Sequence, residues 1–391
     1  LTAAIYGARA RLRTLVVERG RTGGQAATTE EVQNYPGFPE TTGPELMKVF
    51  TEHAEKFGTE IIKDQVIGLE LDGSWKTVKT KRSGAFRARA VVLSPGAEPR
   101  TLGVKGESQF RGKGVSYCAT CDAEFYTELD VVVVGNGDAA VEEAMYLTKF
   151  CDSVTMVIIH DEGIMDANKV AQERAHNNPK IKFVWNSVIQ EIAGDGLVEK
   201  VFLKNIKTGE LTDYETNGVF VFVGTVPRTE FLRGAVDLDE RGYIITNEEM
   251  ETSREGVFAA GDARRKYLRQ IVTAAADGAV AATAAERCIA EEEYFHKEVL
   301  SPEVPVVALF WSPTIAASLD LVGQLEALAA GEAGKFILTK IDTFKNSRVV
   351  SRYSVTQCPT VILFHKGRAT NTISGDDVFG RTRHLVGSIP G

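Results

Sequence analysis

Five cysteines among 391 residues are too few, and odd in number, for the disulfide framework of a small secreted protein. Their scarcity points to a reducing compartment and a cytoplasmic chain. Long hydrophobic runs are also lacking. None approaches the roughly 18–20 residues that a membrane helix needs, and short runs such as Val131–Val134 read as buried strands, so no membrane partner is expected. Basic excess is lacking too. A net charge of −8 leaves no patch to release phosphate counterions, which argues against a nucleic-acid partner. There is no solenoid-type repeat and no low-complexity tract. What remains is ordinary globular composition, 43% hydrophobic and 25% charged. At roughly 100–200 residues per domain, the length allows about two to four domains.

The apolar pattern alternates between strand-like and helix-like stretches, which predicts parallel α/β sheets. Leu1–Tyr6 is already helical in pattern, and Thr14–Glu18 is a β-branched run ending in an acid. In a dinucleotide-binding βαβ unit such an acid closes the second strand and holds a ribose hydroxyl, about 20 residues after a Gly-rich turn. That turn would fall before Leu1. The first strand and its glycine fingerprint are therefore expected to be missing, the chain is expected to be a fragment, and FAD is expected to be held weakly without them. A second unit is complete: Val131–Val134, the Gly135 turn, a helical stretch through Lys149 and a buried strand at Val154–Ile159. Gly256–Asp262 is another strand and Gly-Asp turn, followed by an Ala-rich helix from about Ile271 to Ala290. Residues Ala284–Lys297 then turn rich in Ala and Glu, with the acidic run Glu291–Glu293 and prolines at 302 and 305, which predicts a domain boundary there.

Two motifs carry chemistry. In Cys118-Ala119-Thr120-Cys121-Asp122 the cysteines are spaced to close a small, reducible disulfide ring. One thiolate can attack an external disulfide while the other resolves the mixed intermediate, and the adjacent Asp122 can donate or accept the thiol proton. The competing reading is half of a zinc site. Zinc needs four ligands, and neither a second CxxC nor a nearby His pair is present, so no metal is expected. Gly135-Asn136-Gly137-Asp138-Ala139-Ala140 matches G-x-G-x-x-A directly after a strand and at the start of a helix. There the glycines allow close backbone approach and the helix N-terminus holds a pyrophosphate; without a ligand, the same residues would make only a tight turn.

The order of these features resembles the low-molecular-weight, bacterial-type thioredoxin reductases. Gly23-Gly24-Gln25, Asn34–Gly37, Cys118–Asp122, Gly135–Ala144, Gly261-Asp262 and Arg269-Gln270, followed by Ala274 and Gly278, occur in that sequence. The resemblance covers residues 1 to about 295. It implies an α/β chain with two Rossmann-like nucleotide-binding domains of the three-layer ββα type. The FAD-binding domain would be split between residues 1–115 and 247–296, with an NAD(P)-binding domain carrying the CxxC at 116–246. In such reductases the nucleotide domain swings, so that the CxxC faces either the flavin or the protein substrate. The implied cofactors are FAD and NADH or NADPH. The implied partner is thioredoxin or a thioredoxin-like protein disulfide, and the implied assembly is a homodimer. Carried across, Cys121 sits against the flavin, Cys118 attacks the partner, and Asp122 is the acid–base. Glu18 holds the FAD ribose, while Gly24, Gln25 and Asn34 lie near the flavin. Asp262 binds its ribityl or pyrophosphate region, and Arg269 and Gln270 close over the ring. Gly135, Gly137 and Ala140 take the nicotinamide dinucleotide. For Glu18 a solvated strand end, and for Arg269 a surface charge, stand as the alternatives.

Two departures matter. The family's basic His-Arg-Arg for the NADPH 2′-phosphate is replaced by Ile158–Gly163, which holds no arginine and two acids. A phosphate dianion needs cationic partners, so NADH is favoured; ferredoxin or another non-nicotinamide donor is the alternative. The second departure is the tail. Residues 300–391 resemble thioredoxin: Val306–Trp311 as its central strand, Phe336–Asp342 as the next, and Tyr353–Phe364 as the segment with the cis-proline. The redox Cys pair of that domain is absent, and Trp311–Ile315 stand in its place. The domain is thus expected to be either a non-catalytic docking module, presenting Trp311, Pro313, Cys358 and Pro359, or a folding appendage. Cys358 is read as a spectator or a relay thiol, and Cys151 and Cys288 as helix-packing residues.

Overall fold

A computed structural model describes residues 1–29, 32 and 34–389 of the chain. Helix α1 (Thr2–Arg9) turns its Ala4 and Ile5 inward. They pack with Val16 of strand β1 (Leu15–Glu18) and Ala54 of helix α2 (Gly43–Lys56). A capping box starts α2. The Glu45 amide donates to the Thr42 hydroxyl at 3.2 Å, and the Thr42 amide donates to the Glu45 carboxylate at 3.3 Å. Strand β1 pairs in parallel with β2 (Glu60–Lys63). An antiparallel sheet follows, β3 (Val66–Glu70), β4 (Lys76–Thr80) and β5 (Ala85–Ala88), and then β6 (Val91–Leu93) and β7 (Ala97–Pro99).

The second unit is built on a five-stranded parallel sheet. Its members are β8 (Val115–Ser116), β9 (Asp130–Val134), β10 (Ser153–Val157), β11 (Ile181–Val184) and β15 (Gly218–Val221), in the order β11-β10-β9-β15-β8. Between β8 and β9 lies the short helix α3 (Ala119–Asp122), and α4 (Asp138–Leu147) and α5 (Lys169–His176) cross over the sheet. The antiparallel strands β12 (Ser187–Ala193), β13 (Lys200–Asn205) and β14 (Leu211–Glu215) cover its other face. Val131–Val134 sit at its centre because β-branched side chains pack well on both faces of a covered parallel sheet. The next strand is shorter than its apolar pattern suggests. It stops at Val157, and Ile159 is 49% exposed.

Strand β16 (Thr225–Pro227) runs antiparallel to β7, so the two connections between the units lie side by side. Core membership places the changeovers earlier than expected. Leu102, Val104 and Phe110 pack into the second unit. Leu232, Val236 and Ile244 already pack with Leu93 and the parallel pair of β6 with β17 (Val257–Ala259). The 25-residue helix α6 (Ile271–Phe295) then crosses α1. Gly278 permits the close crossing, since a Cβ there would lie 3.0 Å from the Ala3 amide nitrogen.

A four-stranded sheet forms the third unit. It contains β18 (Val306–Trp311), β19 (Ile337–Asp342), β20 (Thr360–His365) and β21 (Arg368–Ser374), in the order β19-β18-β20-β21. Helices α7 (Ala316–Gly331), α8 (Ser347–Arg352) and α9 (Val378–Gly387) surround it, and the Cys358–Pro359 peptide is cis. No loose linker leads into it. Helix α6 does not end at Ala290, and its last residue, Phe295, is fully buried among Val306, Ala308, Phe310 and Phe364. The acidic run belongs to an interface. Glu291, 7% exposed, accepts from Arg348 at 3.1 Å and from the Val349 amide at 3.0 Å, and Glu292 accepts from Arg352 at 2.6 Å. Arg348 also donates through Nε to Glu251 at 2.9 Å. No helix among the described residues is long and apolar enough to cross a membrane.

Candidate functional site

The CxxC follows β8, where the chain leaves the sheet edge and turns into α3. Cys118 and Cys121 are joined as a disulfide with 5.3 Å between Cα atoms. Ser116 pins the turn: its hydroxyl donates to Asp122 Oδ2 at 2.5 Å and accepts from the Cys118 amide at 3.1 Å. This holds the Asp122 carboxyl beside the cysteines. Burial and the charge of Asp122 push the Tyr126 phenol up to about 12.

Thr120, between the cysteines, ties the pair to the first unit. Its Oγ1 lies 3.4 Å from Cys118 Sγ and accepts from Gln270 Nε2 at 3.2 Å. Gln270 Oε1 in turn accepts from Asn34 Nδ2 at 3.2 Å. The disulfide therefore faces the cleft lined by Asn34 and Gln270. Arg269 lies over the Tyr243 ring at 4.2 Å, and its Nε reaches the Asp262 carbonyl at 3.4 Å. Asp262 Oδ1 is buried without a partner, and burial raises its carboxyl above the usual range, opposed by Lys266 and Arg269. An orphaned acceptor of this kind is costly unless a ligand donor meets it. Glu18 ends β1 and accepts from the Gly20 amide at 2.7 Å. Gln25 accepts from Arg111 at 3.4 Å, and Gly24 opens the turn that carries it, with φ +56°.

The second glycine motif has the geometry of a dinucleotide turn. Gly135 has φ +136°, and a Cβ there would lie 2.4 Å from the Phe222 carbonyl oxygen. Gly137 faces open space, Ala140 is fully buried against the sheet, and Asn136 Nδ2 is a buried donor without a partner. At the end of β10, His160 pairs with Asp166 at 3.5 Å, and Asp161 pairs with Lys207. All thirteen expected site residues line one continuous cleft of about 3740 Å³. This is several times the roughly 300–1,000 Å³ of a single small-molecule pocket, and it takes in the dinucleotide turn, Gly135–Ala140. The buried, unpartnered Asp262 Oδ1, with Arg269, Gln270 and Glu18 on the same cleft, fits an FAD, and the unpartnered Asn136 Nδ2, with Gly137 and Ala140, fits a nicotinamide dinucleotide.

Residues 1–278 match the family model described as pyridine nucleotide-disulphide oxidoreductase, and residues 286–383 match that of thioredoxin. The chain belongs to the pyridine nucleotide-disulphide oxidoreductase family, and FAD and a nicotinamide nucleotide are its cofactors. The thioredoxin reductase of Peptoclostridium acidaminophilum is 50% identical over 296 residues, covering 74% of this chain and 93% of that protein. The bifunctional thioredoxin reductase/thioredoxin of Mycobacterium leprae is 37% identical over 96% of this chain and 91% of its own length. A crystal structure of thioredoxin reductase from Streptococcus pyogenes superposes with a TM-score of 0.69 at 43% identity, covering 74% of this chain and 94% of that one. Within the family, the chain is a flavin-dependent disulfide oxidoreductase of the bacterial thioredoxin reductase type, followed by a thioredoxin-like domain.

Sequence reasoning missed Thr120 and Tyr243. Thr120 lies inside the motif itself, and its position between the cysteines was the available signal. Tyr243 reaches the site only through tertiary packing.

Proposed function

We propose that electrons pass from a reduced nicotinamide, NADH in preference to NADPH, through FAD to the Cys118–Cys121 disulfide and on to the disulfide of a thioredoxin-like protein. The observation that supports this reading is the chain of contacts from Asn34 through Gln270 and Thr120 to Cys118, which brings the disulfide against the residues read as flavin neighbours. The chemistry that bound FAD supplies is the relay of an electron pair from a nicotinamide to a disulfide. Around it, Glu18 holds the adenosine ribose, Asp262 the ribityl or pyrophosphate region, and Gly24 and Gln25 the approach to the ring. Gly135, Gly137 and Ala140 admit the nicotinamide dinucleotide at the N-terminus of α4.

Cys121 is the sulfur on the flavin side, and Asp122, held by Ser116, moves the proton at the reduced pair. The Cys118 thiolate attacks one sulfur of the partner's disulfide, and the other partner sulfur leaves and takes up a proton. Cys121 then attacks Cys118 in the mixed disulfide. This releases the second partner thiol and restores the Cys118–Cys121 bond, so two electrons have moved to the partner.

The donor preference rests on the loop after β10, which holds no arginine; His160 there lies 3.5 Å from Asp166, and Lys207 is engaged by Asp161. kcat/KM is expected to be at least roughly tenfold higher with NADH than with NADPH, about 1.4 kcal/mol, which one missing phosphate–arginine pair supplies. Steady-state kinetics with both nucleotides check this. Equal use would remove the discrimination, and use of neither would move the reading to ferredoxin or another reduced partner.

The thioredoxin-like domain is read as a docking module. Ile315, at the start of α7, is 38% exposed and follows Trp311 and Pro313 in the chain; Trp311 ends the strand whose Phe310 pairs with Thr360, next to Pro359. Apolar anchors of this kind hold a partner without chemistry and raise its effective concentration near Cys118. Ile315→Asp is expected to raise KM for the protein disulfide several-fold and to leave reduction of a small aromatic disulfide unchanged. An unchanged KM for both would make the domain a folding appendage.

A further inference from the structure

The disulfide meets the first unit through a line of donors that all point toward sulfur. The Gln270 side chain accepts from the Thr273 backbone N–H in the capping box of α6 and from Asn34 Nδ2 at 3.2 Å. An amide side chain accepts only through its oxygen, so both contacts hold Gln270 Oε1 on that side and turn Nε2 to Thr120. Thr120 Oγ1 accepts from Nε2 at 3.2 Å. Its hydroxyl hydrogen is then left for Cys118 Sγ, 3.4 Å away. A disulfide sulfur carries no hydrogen, so Thr120 is the donor in that contact.

Thr120 belongs to the second unit, and Gln270 and Asn34 belong to the first. The hydroxyl is therefore aimed only while the two units meet here. Reduction changes what it faces. When a thiolate attacks Cys121 Sγ, a new S–S bond forms there, the Cys118–Cys121 bond breaks, and its electron pair stays on Cys118 as a thiolate. A hydrogen bond to an ionised acceptor is roughly twice as strong as one to a neutral acceptor. The same hydroxyl thus favours the opened pair over the closed one. Asp122, held by Ser116, and Tyr126 just beyond it also stand beside the turn, and no substitution below touches either.

We propose that Thr120 is a further catalytic residue, whose hydroxyl, aimed by Gln270 as its positioning residue, stabilises the Cys118 sulfur as the disulfide opens in the cleft. Away from the cleft that aim is lost, and a less stabilised thiolate is the stronger nucleophile toward a partner's disulfide. The proposal rests on the redox role assigned to the pair, and the experiment keeps the two apart.

The full chain is equilibrated at about pH 8.5, where an ordinary thiol is half ionised, in dithiothreitol buffers of graded poise. The reduced fraction of the Cys118–Cys121 peptide is measured by thiol trapping and mass spectrometry. Thr120→Val replaces the hydroxyl with a methyl of the same shape. It is expected to shift the equilibrium toward the disulfide about fivefold, which for a two-electron couple is about 20 mV. Thr120→Ser keeps the hydroxyl and is expected to stay with the parent. Gln270→Leu is expected to shift the same way as Thr120→Val and to add nothing in the double variant, because it acts through that hydroxyl. A parent-like equilibrium in Thr120→Val, or an equal shift in Thr120→Ser, would overturn the proposal and leave the redox reading intact. Additive shifts would overturn the part given to Gln270. A pair that no dithiol buffer reduces would overturn both the proposal and the redox reading. If Thr120→Val does not fold, Gln270→Leu alone decides in the same sense.

Discussion

Cys118→Ser is expected to abolish reduction of a protein disulfide while leaving reduction of the flavin by its donor intact. The two half-reactions use different atoms. The first ends on the cleft side, where Gln270 and Asn34 meet the turn. The second needs a nucleophilic sulfur that can leave the cleft. Serine at 118 is isosteric but is a far poorer nucleophile near neutral pH, because the thiolate is the reactive species. Turnover should fall by several orders of magnitude, with stopped-flow bleaching of the flavin unchanged. Cys121→Ser should stop turnover as well, by removing the acceptor on the flavin side. Cys151 and Cys288 cannot substitute, since both are buried; burial raises both thiols, Cys151 to about 11. Full activity of Cys118→Ser toward a thioredoxin-like substrate would show that the pair is not the exchange centre.

Arg348→Ala should be the most damaging single change at the seam between the first and third units. Arg348 joins Glu251 and Glu291, and its side chain is only 14% exposed. Removing it leaves Glu291 buried with the Val349 amide as its remaining partner across the seam. Breaking a buried pair from one side costs about 3–5 kcal/mol, because the stranded charge stays out of water. At roughly 2–4 °C per kcal/mol for units of 150–250 residues, a melt should drop by on the order of 6 °C or more. Arg233→Ala is the control, because its pair with Glu230 is exposed on both sides, and it should leave the melt within a degree or so. A melt unchanged by Arg348→Ala would mean that the seam does not hold the third unit.

Much of this architecture was legible because local chemistry and tertiary role agree. Four valines before a glycine turn read as a buried strand, and they are the centre of the parallel sheet; two cysteines three apart read as a small disulfide ring, and they are joined. The fused third domain was legible from the likeness of residues 300–391 to thioredoxin. The seam could not be read this way. Glu291–Glu293 looks the same on a solvated linker as on an interface, and its partners Arg348 and Arg352 lie more than fifty residues away. The alanines of α6 likewise fit a terminal helix or one shared by two cores.

The helix that begins beside Gln270 finishes in the hydrophobic interior of the thioredoxin-like domain, with Phe295 as its last residue. Its two ends are thus anchored in separate folding units with no hinge between them. A tethered electron carrier would need slack to shuttle, and this one has none. The third domain is better compared to a bracket than to a courier. Its own unfolding should drag the far end of α6 with it, so loss of order at Phe295 would be felt, through the same rod of backbone hydrogen bonds, at the residue that latches Thr120.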